Sequence, residues 1–199
     1  MENSPTINYA GETVPISNDL IAKCQAHVSG LSSKNKYKFE ELFFPVKNEY
    51  HRNTSIWLSI YNNWDKDEYK EAEKPESEQR SKNEVKGLYI FYENHKAIYV
   101  GISRKILRRL KNHFRGTTHN EASLVYLMLR DKHDKKHKLY KGNRSDLKLF
   151  EDEREMVQTE MLANWKIAII PIEDNYEMYL TELLIACELK TKWNTFETH

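Results

Sequence analysis

Gly87-Leu88-Tyr89-Ile90-Phe91-Tyr92-Glu93-Asn94-His95-Lys96-Ala97-Ile98-Tyr99-Val100-Gly101 is the stretch on which the reading of this chain turns. Two apolar runs, Leu88–Phe91 and Ala97–Ile102, flank the polar connector Glu93-Asn94-His95-Lys96, the pattern of a β-hairpin. Each run carries a Gly and a Tyr: Gly87-Leu88-Tyr89 in the first, Tyr99-Val100-Gly101 in the second. A basic helix follows at once. Ile106, Leu107, Leu110 and Phe114 recur at helical spacing, Gly116 marks its end, and Arg109 and His113 stand one turn apart on one face. Two tyrosines, an arginine and a histidine thus come from adjacent elements, a combination that can surround a phosphate.

Downstream, Ala122–Leu129 reads as a second buried helix, Asp131–Ser145 as a basic loop and Asp146–Ala163 as a helix. Trp165–Ile172 reads as a strand with Pro171 near its end. Asp174 and Glu177 form a capping box for a helix through Leu189. The expected fold class is α/β (α+β): a small antiparallel sheet of about three strands, the hairpin plus Trp165–Ile172, covered by helices. Residues 1–84 form an N-terminal extension whose role the sequence does not reveal. Within it, Ser17-Asn18-Asp19 caps a helix through about His27, and Thr54–Tyr61 is expected to be a strand. Asn62–Asn83 is charged and reads as a linker or as a solvated helix broken at Pro75.

The 199 residues are 39% hydrophobic and 31% charged, with a mean hydropathy of −0.80. No run approaches the ~18 apolar residues of a membrane span. Met1-Glu2-Asn3-Ser4-Pro5 lacks the basic and apolar regions of a secretory leader. Cys24 and Cys187 lie far apart and fit reduced thiols. A cytoplasmic protein with no membrane partner is therefore expected. The net charge of +1 hides an asymmetry: Ile102–Ser145 holds 13 Lys/Arg against 3 Asp/Glu. Such a local excess is the footprint of a nucleic-acid-binding face.

The paired tripeptides resemble the motifs for which the GIY-YIG nuclease family is named, each in a conservative variant. The downstream spacing strengthens the resemblance. Arg109 follows Tyr99 by ten residues, His113 follows Arg109 by four, and Glu182 precedes Asn194 by twelve. The resemblance covers roughly residues 85–199 and implies a divalent-metal-dependent endonuclease. It makes Tyr89 the general base for water, Tyr99 an orienter of water or phosphate, and Glu182 the metal-holding carboxylate. Arg109 and His113 then neutralise the phosphate or move a proton, Asn194 is a supporting residue, and His119 a further candidate. Mg²⁺, or Mn²⁺, suits a site with one carboxylate plus substrate phosphate. Many family members carry a Lys directly after the second motif, where this chain has Ile102; Lys105 or Arg104 could replace it.

The chemistry sets a condition on the tyrosines. A phenol must drop by about three pKa units to be half ionised at neutral pH, a cost of roughly 4 kcal/mol. Arg109, His113 and the metal are the charges that could lower it. Arg104, Lys105, Arg108, Lys111, Arg115, Lys135, Lys136 and Lys138 are the candidate nucleic-acid contacts, with DNA as the expected substrate and RNA left open. The alternative class is a non-catalytic nucleic-acid-binding protein that keeps the fold. Oligomeric state and cleavage specificity are open at this level. If the basic loop meets backbone phosphates, neutralising Lys135, Lys136 and Lys138 will flatten the salt dependence of binding, at about −0.9 in log–log slope per phosphate lost. Fluorescence anisotropy over a salt series measures it; an unchanged slope would make the loop an ordinary solvated surface.

Overall fold

The computed structural model describes residues 6–9, 12–15, 17–47, 49–61, 85–133 and 148–194. Its centre is an antiparallel sheet of β5 (Gly87–Glu93), β6 (Lys96–Ser103) and β7 (Lys166–Pro171), in the order β6-β5-β7. The expected hairpin is β5–β6. Asn94 and His95 turn its corner with φ of 47° and 66°, the two positive values that a tight hairpin turn matching strand twist requires. The motif glycine Gly87 has φ 146°, and a Cβ there would overlap the carbonyl oxygen of Ile170 on β7. Only glycine lets β5 begin this close to its neighbour.

Alternation along the strands divides the core into two. Leu88, Ile90, Val100, Ala168 and Ile170 face one side, against Met178, Ile185 and Ala186 of α7 (Asn175–Leu189). Tyr89, Phe91, Ile167 and Ile169 face the other. There they meet α4 (Ile106–Arg115), α5 (Ser123–His133) and α6 (Glu151–Asn164). A register shift between Phe91 and Tyr92 breaks the alternation. Ile98 and Tyr99, neighbours in sequence, consequently both pack on the second side. Re-aiming a side chain in this way is what bulges do.

The N-terminal segment shares this core. α1 (Asn18–Ser29), with Ser17 accepting from the Leu20 amide as its cap, lies along α7, and His27 Nε2 meets Glu177 Oε1 at 2.7 Å. A 3₁₀ turn (Gly30–Ser33) leads to Tyr37, which exchanges backbone hydrogen bonds with Ile167 and so closes the outer edge of β7. Phe39 and Leu42 of α2 (Phe39–Leu42), Phe43 and Trp57 are buried in one cluster with Phe91 and Phe114. Two further hairpins occur, β1–β2 (Thr6–Tyr9, Glu12–Pro15) and β3–β4 (Phe43–Val46, Glu49–Arg52).

Two expectations are corrected. Thr54–Tyr61 is not a strand but helix α3 (Thr54–Ile60). Ile56, Trp57 and Ile60 share its inner face, and Trp57 Nε1 donates to the Leu42 carbonyl at 2.9 Å, so tertiary packing overrides β-propensity. The box at Asp174 is half made: Asp174 accepts from the Glu177 amide, but the Glu177 carboxylate turns to His27. Of the helix expected over Asp146–Ala163, residues 148–150 form a 3₁₀ turn and Glu151–Asn164 the α-helix, while Asp146 and Leu147 lie outside the described residues. The linker Asn62–Asn83 and the loop lysines Lys135, Lys136 and Lys138 lie outside the described residues. Among the described residues no helix is long and apolar enough to cross a membrane.

Because Trp57 is buried in the cluster that also contains Tyr89 and Phe91, Trp57→Ala will destabilise the whole protein by about 3–5 kcal/mol. Denaturant unfolding will show one shifted transition. A separate early transition that leaves the later one unmoved would mean that the N-terminal segment folds independently.

Candidate active site

Five residues from four elements converge on one point. Tyr89 comes from β5, Tyr99 from β6, Arg109 and His113 from α4, and Glu182 from α7. Tyr89 stands across the hairpin from Gly101, and a Cβ on Gly101 would overlap its Cζ and hydroxyl. The ring of the first motif's tyrosine therefore lies over the glycine of the second, which explains the residue type at position 101.

From there the Tyr89 hydroxyl lies 2.7 Å from His113 Nε2. Arg109 Nε donates to the same oxygen at 3.4 Å. His113 has no exposed surface and Tyr89 is 1% exposed. Burial pushes the Tyr89 phenol well above its ordinary pKa, with the neighbouring Tyr99 raising it further and Arg109 opposing. Burial, and then Arg109, push the His113 imidazole well below its ordinary value. The pair thus rests as neutral phenol and neutral imidazole. His113 reaches the cluster through the Tyr89 hydroxyl, a contact along which a proton can pass.

Tyr99 is half-buried beside this pair, its ring 6.2 Å from that of Tyr89. Burial raises its phenol too, while the Arg109 guanidinium lowers it. Arg109 is pinned. Its Nη1 donates to the carbonyls of Asn120 (3.1 Å) and Glu121 (3.3 Å), and its Nη2 to Ser123 Oγ. Its fork is therefore committed to the turn before α5, and its charge is held beside the two phenols. Thr118 and Glu121 brace that turn reciprocally, Thr118 donating to the Glu121 carboxylate and the Glu121 amide donating to Thr118 Oγ1.

Glu182 is half-buried on α7, and its charge is felt at Tyr99. Burial lifts its carboxyl to about 7. Asn194 closes the outer edge of β6: its Oδ1 accepts from the Val100 amide at 2.8 Å and its Nδ2 donates to the Val100 carbonyl at 2.7 Å. That two-point pairing replaces a further strand. His119 packs edge-on to Tyr126 and makes no hydrogen bond to the four central side chains. Arg104, Lys105, Arg108 and Arg115 are exposed and Lys111 is half-buried.

Sequence reasoning missed the residues behind α4. Buried Gln158 donates to the carbonyls of His113 (3.2 Å) and Gly116 (2.9 Å), and Arg154 donates to Gly116 and to Gln158. These bonds take up carbonyls that a helix end leaves unpaired. The signal was two polar residues four apart on the apolar face of α6. The carbonyls and hydroxyl that hold Arg109 left no such signal.

A divalent cation fits the donor set. Glu182 is a half-buried carboxylate raised by desolvation alone, the condition in which an added positive charge is most favourable. Among the described residues no group of three or more His, Cys, Asp or Glu could hold a metal ion, and Glu182 is the carboxylate that the motif resemblance would assign to one. Residues 85–180 match the model of the GIY-YIG catalytic domain. Neither curated proteins nor solved structures give a significant match.

The Glu182 shift has a signed consequence. A folded pKa of about 7 against an ordinary 4.5 means that the folded state holds the extra proton between those values, so stability falls as pH rises through that window. Glu182→Gln will abolish this loss: its melting temperature will exceed wild type at about pH 8 and approach it near pH 5. Mg²⁺ will raise the melting temperature of the wild type only. A pH-independent difference would place Glu182 in ordinary solvent.

Proposed function

Starting from a chain whose residues 85–180 form a GIY-YIG catalytic domain, we propose a divalent-metal-dependent endonuclease that hydrolyses DNA phosphodiester bonds. The observation that carries this reading is one pinned cation, Arg109, beside two phenols, with Glu182 acting on the outer phenol from a separate helix. Tyr89 takes the proton of the attacking water while its own proton passes to His113 Nε2, 2.7 Å away. Neither group has to be ionised at rest, so the cost of a free phenolate is avoided. Tyr99 lines the entry and orients water or phosphate. Arg109, already oriented by backbone carbonyls, offsets the negative charge that develops, with no rearrangement at the moment of reaction. A divalent ion on Glu182 would supply Lewis-acid stabilisation of the phosphate oxygens.

A non-catalytic nucleic-acid-binding protein is the second reading, favoured by one observation: the Arg109 guanidinium is already engaged by internal acceptors.

Incubation with plasmid, linear and branched DNA, and with RNA, in Mg²⁺ and in EDTA, separates the two. Cleavage of DNA in Mg²⁺ alone is expected, with Glu182→Gln still binding but not cutting. Tyr89→Phe will lower the single-turnover rate by about 10²–10⁴, the usual worth of a positioned proton acceptor. Arg109→Lys will recover little of the activity lost in Arg109→Ala, because an ammonium cannot reproduce the fork. Cutting in EDTA, or wild-type cutting by Glu182→Gln, would refute the proposal.

A further inference from the structure

Three kinds of oxygen hold the Arg109 guanidinium, and one of them has a hydrogen left to give. Nε donates to the Tyr89 hydroxyl at 3.4 Å, Nη1 to the carbonyls of Asn120 and Glu121, and Nη2 to Ser123 Oγ. One planar cation therefore links two hydroxyls, that of Tyr89 and that of Ser123. The two carbonyls can only accept. A serine hydroxyl accepts at its oxygen and keeps a hydrogen of its own to donate.

Among the described residues the bond from Arg109 is the one that Ser123 Oγ makes, so its hydrogen is committed to no acceptor there. Ser123 and Arg109 are both half-buried, within reach of a molecule from outside. The backbone fixes where the serine stands. Ser123 opens α5, and the turn before it is closed by the Ala122 amide donating to the Thr118 carbonyl at 2.9 Å. Thr118 Oγ1 donates to the Glu121 carboxylate at 3.0 Å and braces the same turn.

These commitments limit how Arg109 can meet a phosphate. An arginine commonly grips an anion with two parallel N–H groups of its fork. Here Nη1 is turned to the carbonyls of Asn120 and Glu121, which leaves the Nη2 side. Nη2 carries a second N–H, and the Ser123 hydroxyl stands hydrogen-bonded beside it. A hydroxyl that accepts from a cation is polarised towards donating its own hydrogen onward. An anionic oxygen is the acceptor that rewards this most.

We propose that Ser123 is a further substrate-binding residue of this site, its hydroxyl accepting from Arg109 Nη2 and donating to a non-bridging oxygen of the scissile phosphate. This rests on the nuclease reading given above and adds a phosphate contact to it. The serine supplies the second donor that the engaged Nη1 does not. Arg109 and Ser123 then act together on the charge that develops beside Tyr89.

The test compares, in the full chain, Ser123→Thr, which keeps a hydroxyl, with Ser123→Val, which has nearly the same shape without one. The single-turnover rate at saturating DNA and Mg²⁺ is expected to fall about 10²-fold in Ser123→Val, the scale of one donor lost from a developing oxyanion. Ser123→Thr should recover most of that loss. A serine that only braces Arg109 would give the same pattern, so a second measurement separates the two. Sulfur is placed at one or the other non-bridging oxygen of a mapped scissile phosphate, and cleavage is followed in Mn²⁺ so that metal–sulfur contact does not limit it. Wild type should disfavour one isomer by about tenfold, the scale of a hydrogen bond to a charged group, and Ser123→Val should lose that preference. Ser123→Ala carries the same isomer comparison if the branched variants fail to fold. Equal rates for Ser123→Thr and Ser123→Val, no isomer preference in wild type, or a preference kept in full without the hydroxyl would overturn the inference while leaving the nuclease reading intact. A wild-type protein that cuts no DNA in Mg²⁺ would overturn both.

Discussion

The ring of Tyr89 lying across the bare backbone of Gly101 is the contact on which the rest of the site depends. It sets the height of the phenol above the sheet, and that height decides whether the hydroxyl reaches His113 and Arg109 on the helix beyond. The helix is held at the matching distance from behind, where Gln158 and Arg154 take up the carbonyls at its end. Unbroken pairing from Tyr89↔Gly101 to Phe91↔Tyr99 puts Tyr99 on the same face. Glycine at 101, the regular register from there to Tyr99 and a polar pair on α6 are thus three solutions to one positioning problem.

The electrostatics of the cluster follow from its dryness. Burial raises the two phenols and the Glu182 carboxyl and lowers the His113 imidazole. Each shift favours the neutral form. The positive charge of Arg109 is kept in place by carbonyl and hydroxyl oxygens. In the function proposed above, a phosphate and a divalent cation would bring the charges this dry cluster lacks.

Much of this was legible in the chain. The hairpin, the basic helix and the strand at Trp165–Ile172 followed from alternation and helical spacing. The five central residues followed from their intervals in a known motif. What escaped was whatever depends on contacts between distant segments. Thr54–Ile60 has the composition of a strand and is a helix, because Trp57 must reach the Leu42 carbonyl. Residues 1–84 read as an extension of unknown role, and nothing in them announces that Phe39, Phe43 and Trp57 join the core cluster of Tyr89 and Phe91. The clamp on Arg109 uses backbone oxygens of Asn120 and Glu121, which no residue type announces. The bulge between Phe91 and Tyr92 is likewise invisible in a run of strand formers.

The most direct test of the account is the single-turnover cleavage rate of Gly101→Ala at saturating DNA and Mg²⁺. The added methyl removes no functional group; it only displaces the Tyr89 ring from its seat. The account predicts a loss comparable to removing the Tyr89 hydroxyl itself, with DNA affinity largely retained. A Gly101→Ala enzyme that cuts at the wild-type rate would show that the position of Tyr89 over the hairpin does not govern the chemistry, and the arrangement argued from it would fall.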